Sequence, residues 1–294
     1  MRARVRRLAR SRTLARVNWR AELETTLGRV ERIDPIHGGS INIVWRVELA
    51  DSRILFLKTH ASPPTGMYPA EAAGLTWLRP GPLRVPHVVA AADAFLALEW
   101  IDLSSTRAHD EELGRGLAQL HALGAPAFGL DRDNFLATLA QDNTPAPDIQ
   151  TFYIERRLAP LFEMMRLASD STDLRPQLDK LRSRPELFGP PEPPARLHGD
   201  LWSGNVGACG GEPVIFDPAV YGGHREIDLA MLALFAPLSE RLVAAYHEAT
   251  PLAAEWRQRT RLWQLYPLAA HAVMFGDSYI ARTAVTLDAV LASR

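Results

Sequence analysis

The sequence carries its densest chemistry between Leu197 and Met231. A His-x-Asp motif there ends at Asp200, Asn205 follows five residues later, and the short apolar run VIF leads into Asp217. Phosphoryl transfer needs a carboxylate beside the acceptor hydroxyl and oxygen ligands for magnesium, and this spacing can supply both. We therefore predict that Asp200 is the catalytic base and that Asn205 and Asp217 hold Mg²⁺. The alternative is that these residues only form turns beside glycine.

A second set of candidate residues lies upstream. The segment HGGSIN stands between two predicted strands, where the backbone N–H groups of Gly38, Gly39 and Ser40 could bind phosphate oxygens, although Gly-Gly between strands is usually a hairpin turn. Lys58 ends the apolar run ILFLK, where a buried amine would need an anionic partner such as Glu71 on the next predicted helix. Because only two of the 33 basic residues are lysines, a lysine here indicates a specific requirement. We predict that these residues bind ATP phosphates, and a solvated strand-end lysine is the alternative.

Two kinds of structure must position these residues. From about residue 33 to residue 100, the segments INIVWRVEL, RILFLKT and AFLALEW are typical of antiparallel strands, and PAEAAGLTWLR between them has helical spacing. Helical patterns dominate after residue 101, beginning with the run from Asp110 to Leu123. The sequence therefore predicts an α+β fold with a small antiparallel-sheet lobe over residues 1–100 and a larger, mainly helical lobe over residues 101–294.

The junction between these predicted lobes is the segment LALEW. An interlobe hinge there would allow backbone groups from Glu99 through Trp100 to Ile101 to hydrogen-bond adenine. A strand leaving the edge of a sheet explains the same residues equally well.

The composition excludes several classes of protein. A formal net charge of -1 over 294 residues removes the broad electrostatic attraction that a nucleic-acid binder needs. The single cysteine, Cys209, cannot form an intramolecular disulfide, and no stretch of 18 uncharged apolar residues predicts a membrane span, so we expect a cytoplasmic protein. The first 17 residues contain seven arginines and no acid, which fits a targeting peptide, an anion-binding arm or an ordinary solvated helix.

The block from residue 197 to residue 231 resembles the fructosamine kinase family, also called ketosamine-3-kinases, which is related to aminoglycoside phosphotransferases and choline kinases. The motifs HGDLWSGN, FDPAVYGGHRE and LWQLYPLAAHAVMFGDSY carry the resemblance, and GGSIN, EAAGL, FGLDRDNFLA and QDN follow the family's order. The resemblance implies the bilobal protein-kinase-like fold and ATP-dependent phosphorylation of the 3-hydroxyl of a ketosamine. The substrate would be a small molecule or a protein-bound adduct, phosphorylated in deglycation repair.

The resemblance also implies residues that bind the substrate. Trp202 could line the sugar site with its aromatic face, although a packed core tryptophan is the alternative. His224, Arg225 and Glu226 match the family's segment after the metal-binding aspartate, where they could contact the substrate or order the catalytic loop. A helix N-terminus enriched in acids is the plain interpretation of the same residues.

Other functions remain open from the sequence alone. A kinase of another small alcohol, such as an aminoglycoside or an amino alcohol, would use the same catalytic residues. A nucleotide-binding pseudokinase is a different class, but such proteins typically lose a metal ligand or the lysine. Nucleic-acid binding would have to depend on the N-terminal arginines, and the sequence leaves the oligomeric state open.

Overall fold

The computed structural model describes residues 19–36, 41–105, 109–168 and 173–293. The predicted phosphate-binding residues Gly38, Gly39 and Ser40 lie outside the described residues, and so does the arginine-rich segment 1–17.

The N-terminal part of the described chain holds two helices and five strands, which are α1 (Trp19–Leu27), β1 (Val30–Ile36), β2 (Ile43–Leu49), β3 (Ile54–Thr59), α2 (Met67–Leu78), β4 (Val88–Ala92) and β5 (Phe95–Glu99). The strands form one antiparallel sheet in the order β1-β2-β3-β5-β4. The predicted strands are confirmed as β2, β3 and β5, and the predicted helix as α2. The prediction missed β1 and β4, which are the two edge strands, because edge strands tolerate the charges and proline of VERIDPI and need no strong apolar alternation.

The alternation along β3 explains how an amine comes to face the interior of the molecule. Leu55 and Leu57 point to one face of the sheet, where they pack with Leu23 of α1. Successive side chains of a strand alternate between faces, so Phe56 and Lys58 point to the other face, toward the rest of the protein. The pattern of this short run therefore determines which face of the sheet carries the lysine.

The C-terminal part is mainly helical, with short two-stranded sheets between the helices. Its elements are α3 (Asp110–Ala122), β6 (Asn134–Leu136), β7 (Leu139–Gln141), α4 (Ile149–Phe152), a π-helical segment (Tyr153–Leu158), α5 (Ala159–Ala168), α6 (Arg175–Arg182), β8 (Ala195–Leu197), β9 (Val206–Cys209), β10 (Glu212–Ile215), β11 (Tyr221–Gly223), α7 (Glu226–Leu232), α8 (Glu240–Ala249), α9 (Trp256–Phe275) and α10 (Asp277–Ala292). Among the described helices, none is both long and apolar enough to cross a bilayer.

A shared apolar core joins the sheet to the helical part. Leu98 of β5, Leu117 of α3 and Ile215 of β10 belong to the same buried cluster. Helix α2 also approaches the helical part closely, because a Cβ atom at Gly74 would lie 3.3 Å from a methyl group of Val220. The predicted boundary at residue 100 falls directly after β5, and the division into lobes at that residue stays a prediction.

Candidate active site

A tight turn after β8 presents the predicted catalytic base. Gly199 has a φ of 82°, and a Cβ atom there would lie 2.0 Å from the carbonyl oxygen of Ala219, so only glycine fits. The amide of Asn205 donates to the backbone oxygen of Asp200 at 2.8 Å and to its carboxylate Oδ2 at 3.1 Å. The same amide lies 3.4 Å from the backbone oxygen of Asp217. The three residues predicted from spacing are therefore brought together around one amide group.

A buried carboxylate on α7 holds this turn from behind. Asp228 is fully buried and accepts hydrogen bonds from the backbone N–H groups of His198, at 2.7 Å, and Gly199, at 2.9 Å. Nε2 of His121 lies 3.2 Å from the same carboxylate, and Nδ1 of His121 lies 2.7 Å from the hydroxyl of Tyr246. This chain of contacts fixes the backbone that leads into Asp200, and it gives His121 a structural role.

The predicted lysine sits between two carboxylates. Lys58 is 1% exposed, and its Nζ lies 2.5 Å from Oε1 of Glu71 and also contacts the carboxylate of Asp217. Burial alone would lower the pKa of Lys58, but the charges of Asp217 and Glu71 offset this effect and raise the pKa above its usual value. The ammonium is therefore a fixed positive charge inside the protein, and the prediction that Glu71 is its partner is confirmed by this contact.

Two residues of the site have unusual environments. Loss of hydration, and then the neighbouring Asp217 carboxylate, raise the pKa of Asp200 well above the usual range of an aspartate. Asp217 itself has a φ of 58°, in the left-handed region that non-glycine residues rarely adopt. Such strain persists only where surrounding contacts hold it, and here they include Lys58 and Asn205.

Two adjoining cavities meet at Asp200, the predicted catalytic base. The first, which we call the lysine cavity, has a volume of about 420 Å³ and contains Lys58, Glu71 and Asp217 in its wall. The second, the aromatic cavity, has a volume of about 390 Å³. Both are lined by Asp200 and Trp202, so a group bound in one cavity would meet a group bound in the other beside the carboxylate. Trp202 is 37% exposed, which rules out the alternative of a packed core tryptophan.

The predicted adenine-binding residues do not line the lysine cavity. The side chain of Glu99 accepts a hydrogen bond from the backbone of His87 at 3.0 Å, and the indole of Trp100 donates to Asp102 at 2.7 Å. The backbone N–H of Glu99 donates to the carbonyl oxygen of His87 at 2.9 Å, so the remaining backbone groups from Glu99 to Ile101 stay the predicted adenine ligands. The described residues on either side of the predicted phosphate loop, Ile36 and Ile41, do line this cavity.

Three residues that the resemblance associates with substrate lie elsewhere. Arg225 binds the carboxylate of Glu192 through two contacts of 2.7 and 2.8 Å, and Glu226 binds Arg259 through contacts of 2.6 and 2.9 Å. The ring of His224 is buried between these pairs. None of the three lines the lysine cavity or the aromatic cavity, so their placement supports a role in packing α7 rather than contact with substrate.

Comparison with known proteins identifies the family. The family model described as fructosamine kinase matches residues 15–293. The chain belongs to the fructosamine kinase family. A probable ketoamine kinase of Enterococcus faecium is 36% identical over 272 residues, which cover 88% of this chain and 96% of that protein. A chloroplastic protein-ribulosamine 3-kinase of Arabidopsis thaliana is 32% identical over 271 residues, covering 88% of this chain and 82% of that protein.

Solved structures confirm the fold. A crystal structure from Thermobifida fusca assigned to the fructosamine-3-kinases superposes with a TM-score of 0.85 at 39% identity, over 94% of this chain and 99% of that chain. An aminoglycoside phosphotransferase shares the architecture with a TM-score of 0.61 at 15% identity, over 92% of this chain and 97% of that chain. The prediction of a protein-kinase-like fold is therefore confirmed. As a member of the fructosamine kinase family, this protein is an enzyme of the phosphotransferase class.

Proposed function

We propose that this kinase transfers the terminal phosphoryl group of ATP to the 3-hydroxyl of ketosamines, such as ribulosamine or fructosamine adducts, in deglycation repair. The observation that carries the proposal is the position of Asp200 at the junction of two cavities, one of which holds the Lys58–Glu71 pair. The names of the relatives, a ketoamine kinase and a protein-ribulosamine 3-kinase, support the same substrate class. Free and protein-bound adducts both belong to this class, and a cytoplasmic location stays a prediction.

The residues of the lysine cavity fit ATP with Mg²⁺. In kinases, magnesium is held by one or two protein oxygens together with phosphate oxygens, so a dedicated cluster of acids is not needed. Among the described residues no group of three or more His, Cys, Asp or Glu could hold a metal, whereas Asn205 and Asp217 provide a pair of this kind. When bound, Mg-ATP would supply the phosphoryl group and neutralise its charge. Lys58 would bind the phosphates through a charge that burial between two carboxylates keeps in one position.

Asp200 would act on the acceptor. Its carboxylate lies in the walls of both cavities, so it can accept a hydrogen bond from the 3-hydroxyl and take its proton as phosphoryl transfer proceeds. The amide of Asn205 holds one carboxylate oxygen at 3.1 Å, which leaves the other for the hydroxyl. The raised proton affinity of this carboxyl suits a group that must take a proton.

The described site argues against the pseudokinase alternative, since Lys58, Asp200, Asn205 and Asp217 are all present and in contact with one another through the pairs given above. A kinase of an aminoglycoside or amino alcohol would use the same groups, so the acceptor distinguishes the two functions. The aromatic cavity contains one carboxylate among its described lining residues, Asp200, which offers little to a polycationic aminoglycoside.

The test is ATP-dependent phosphate transfer to ribulosamine, erythrulosamine and fructosamine adducts, an aminoglycoside and choline, read by mass spectrometry. We expect a ketosamine to be phosphorylated, and Asp200→Asn to reduce the rate by about 10²-fold or more. Asp179→Asn is the matched control, because that side chain is 71% exposed and remote from both cavities. Phosphorylation of only the aminoglycoside or choline would overturn the proposed substrate.

A further inference from the structure

The aromatic cavity is lined by five rings in a continuous series, which we call the aromatic row: Trp202, Phe235, His271, Phe275 and Tyr279. Ring centroids are 5.7 Å apart between Trp202 and Phe235, 5.9 Å between Phe235 and His271, and 5.5 Å between His271 and Phe275. Tyr279 packs beside His271 at 4.9 Å. The row therefore leads from the catalytic aspartate, through Trp202, toward solvent.

The row is a built surface that remains open. Phe235 is 47% exposed and Phe275 is 51% exposed, although large apolar side chains usually bury themselves. His271 and Phe275 stand one turn apart on α9, and Nδ1 of His271 donates to the carbonyl oxygen of Pro267 at 2.6 Å, which fixes its ring. Rings held in place yet exposed beside a catalytic group form a surface that can bind an apolar group.

The chemistry of a ketosamine defines which part of it can reach the row. The amine nitrogen is bonded to C1, and one carbon alone separates C1 from the C3 that carries the reacting hydroxyl. With that hydroxyl at Asp200, the two ends of the molecule diverge: one end is the remaining sugar carbons with their hydroxyls, and the other is the substituent on nitrogen. Hydroxyls buried without partners are costly, and the rings of Phe235 and Phe275 offer no polar atom, so the sugar end belongs near Asp200 and Trp202, which line both cavities.

We propose that the aromatic row binds the carbon chain of the ketosamine's N-substituent and so makes the enzyme selective for amines with an extended alkyl chain. This inference rests on the proposed function and adds to it the class of amine. An aliphatic chain such as that of a lysine side chain could lie along the rings, its methylenes in contact with their faces while its far end stays in solvent. An open row that reaches the surface suits an adduct carried on a side chain.

The experiment measures kcat/KM for ribulosamine adducts of methylamine, propylamine, butylamine and hexylamine, and of the hydroxylated amine 2-(2-aminoethoxy)ethanol as a polar chain of comparable length. We expect kcat/KM to rise about twofold to threefold for each added methylene up to butyl, which is the effect of partly burying one methylene. We expect Phe275→Ala to reduce that increment to less than about 1.5-fold, with a larger loss for the butyl adduct than for the methyl adduct. Phe275→Leu, which keeps an apolar side chain, should retain most of the increment.

Leu167→Ala is the matched control, because Leu167 is 71% exposed on α5 and lines neither cavity, and it should keep the full increment. A kcat/KM that does not depend on the alkyl chain, or equal rates with the polar chain, overturns the inference while leaving ketosamine phosphorylation intact. An increment that survives Phe275→Ala unchanged shows that the chain binds elsewhere and overturns it as well. Absence of turnover with every adduct overturns the proposed function itself.

Discussion

Replacing Asp228 by asparagine should lower both stability and activity, although Asp228 lines neither the lysine cavity nor the aromatic cavity. One oxygen of Asp228 accepts from Gly199 N, and the other accepts from His198 N and lies beside His121 Nε2. An asparagine can keep its carbonyl oxygen toward the pair of donors, but its NH₂ group must then face the N–H of Gly199. One charge-assisted hydrogen bond is lost and a buried donor is left without an acceptor, so we expect the free energy of unfolding to fall by about 2–3 kcal/mol.

The catalytic effect follows from the same contacts. The residue after Gly199 is Asp200, and a displacement of roughly 1 Å at a catalytic group can cost about 10²-fold in rate. We therefore expect kcat to fall by about 10- to 100-fold, while the dissociation constant of ATP changes little because Asp228 is not in the wall of the lysine cavity. Chemical denaturation, steady-state kinetics and ATP binding by calorimetry measure the three quantities, with Asp179→Asn as the surface control.

The pH dependence of stability gives an independent check. Burial alone would raise the pKa of Asp228, but the hydrogen bond and charge of His121, with the backbone donors, hold this pKa below its usual value. A carboxyl with a lower pKa in the folded state contributes stability that is complete above its unfolded value of about 3.9 and is lost as the pH falls through the folded value. The difference in unfolding free energy between wild type and Asp228→Asn should therefore shrink below about pH 4. Equal stabilities at pH 7, or an unchanged kcat, would refute the reasoning.

Three further substitutions test other parts of the site. Lys58→Met should weaken ATP binding by about tenfold or more, measured by calorimetry, and Lys58→Arg should not restore it because the larger planar head does not fit between two carboxylates. Gly199→Ala should reduce kcat by about 10²-fold or prevent folding, since its Cβ would lie 2.0 Å from the carbonyl oxygen of Ala219. Gly28→Ala is the control: Gly28 also has a positive φ, but a Cβ there would meet nothing within 4 Å, so this variant shows the effect of backbone strain without the clash. Glu226→Gln should lower the free energy of unfolding by about 3–5 kcal/mol, because it leaves the Arg259 guanidinium without a carboxylate partner. The KM for ketosamine should stay within about twofold of wild type. A KM raised about tenfold or more would indicate that Glu226 contacts the substrate.

The sequence predicted the proximity of Asp200 and Asn205 because the geometry of this pair is local. Asp200 and Asn205 are five residues apart on one turn, and a glycine that tolerates no side chain precedes them. The alternation of β3 determined that Lys58 faces inward, and a buried amine required a carboxylate, which Glu71 provides. Such features follow from strand periodicity, turn chemistry and the cost of burying charge, all of which are encoded in short stretches of the chain.

Only the tertiary structure distinguished the polar residues that line the two cavities from those that stabilise the surrounding fold. His121 meets Asp228 across 107 residues of chain, a contact that no local pattern encodes. His224, Arg225 and Glu226 share a sequence block with Asp217, the predicted metal ligand. Glu226 nevertheless pairs with Arg259, 33 residues away, and none of the three lines either cavity. The aromatic row likewise joins the turn that carries Trp202, the segment after α7 and the helices α9 and α10. Local sequence sets the conformation of each segment and which of its side chains tend to be buried. The partners of a side chain depend instead on how distant segments pack. Residues with the same local pattern can therefore line the site or stabilise the fold, depending on that packing.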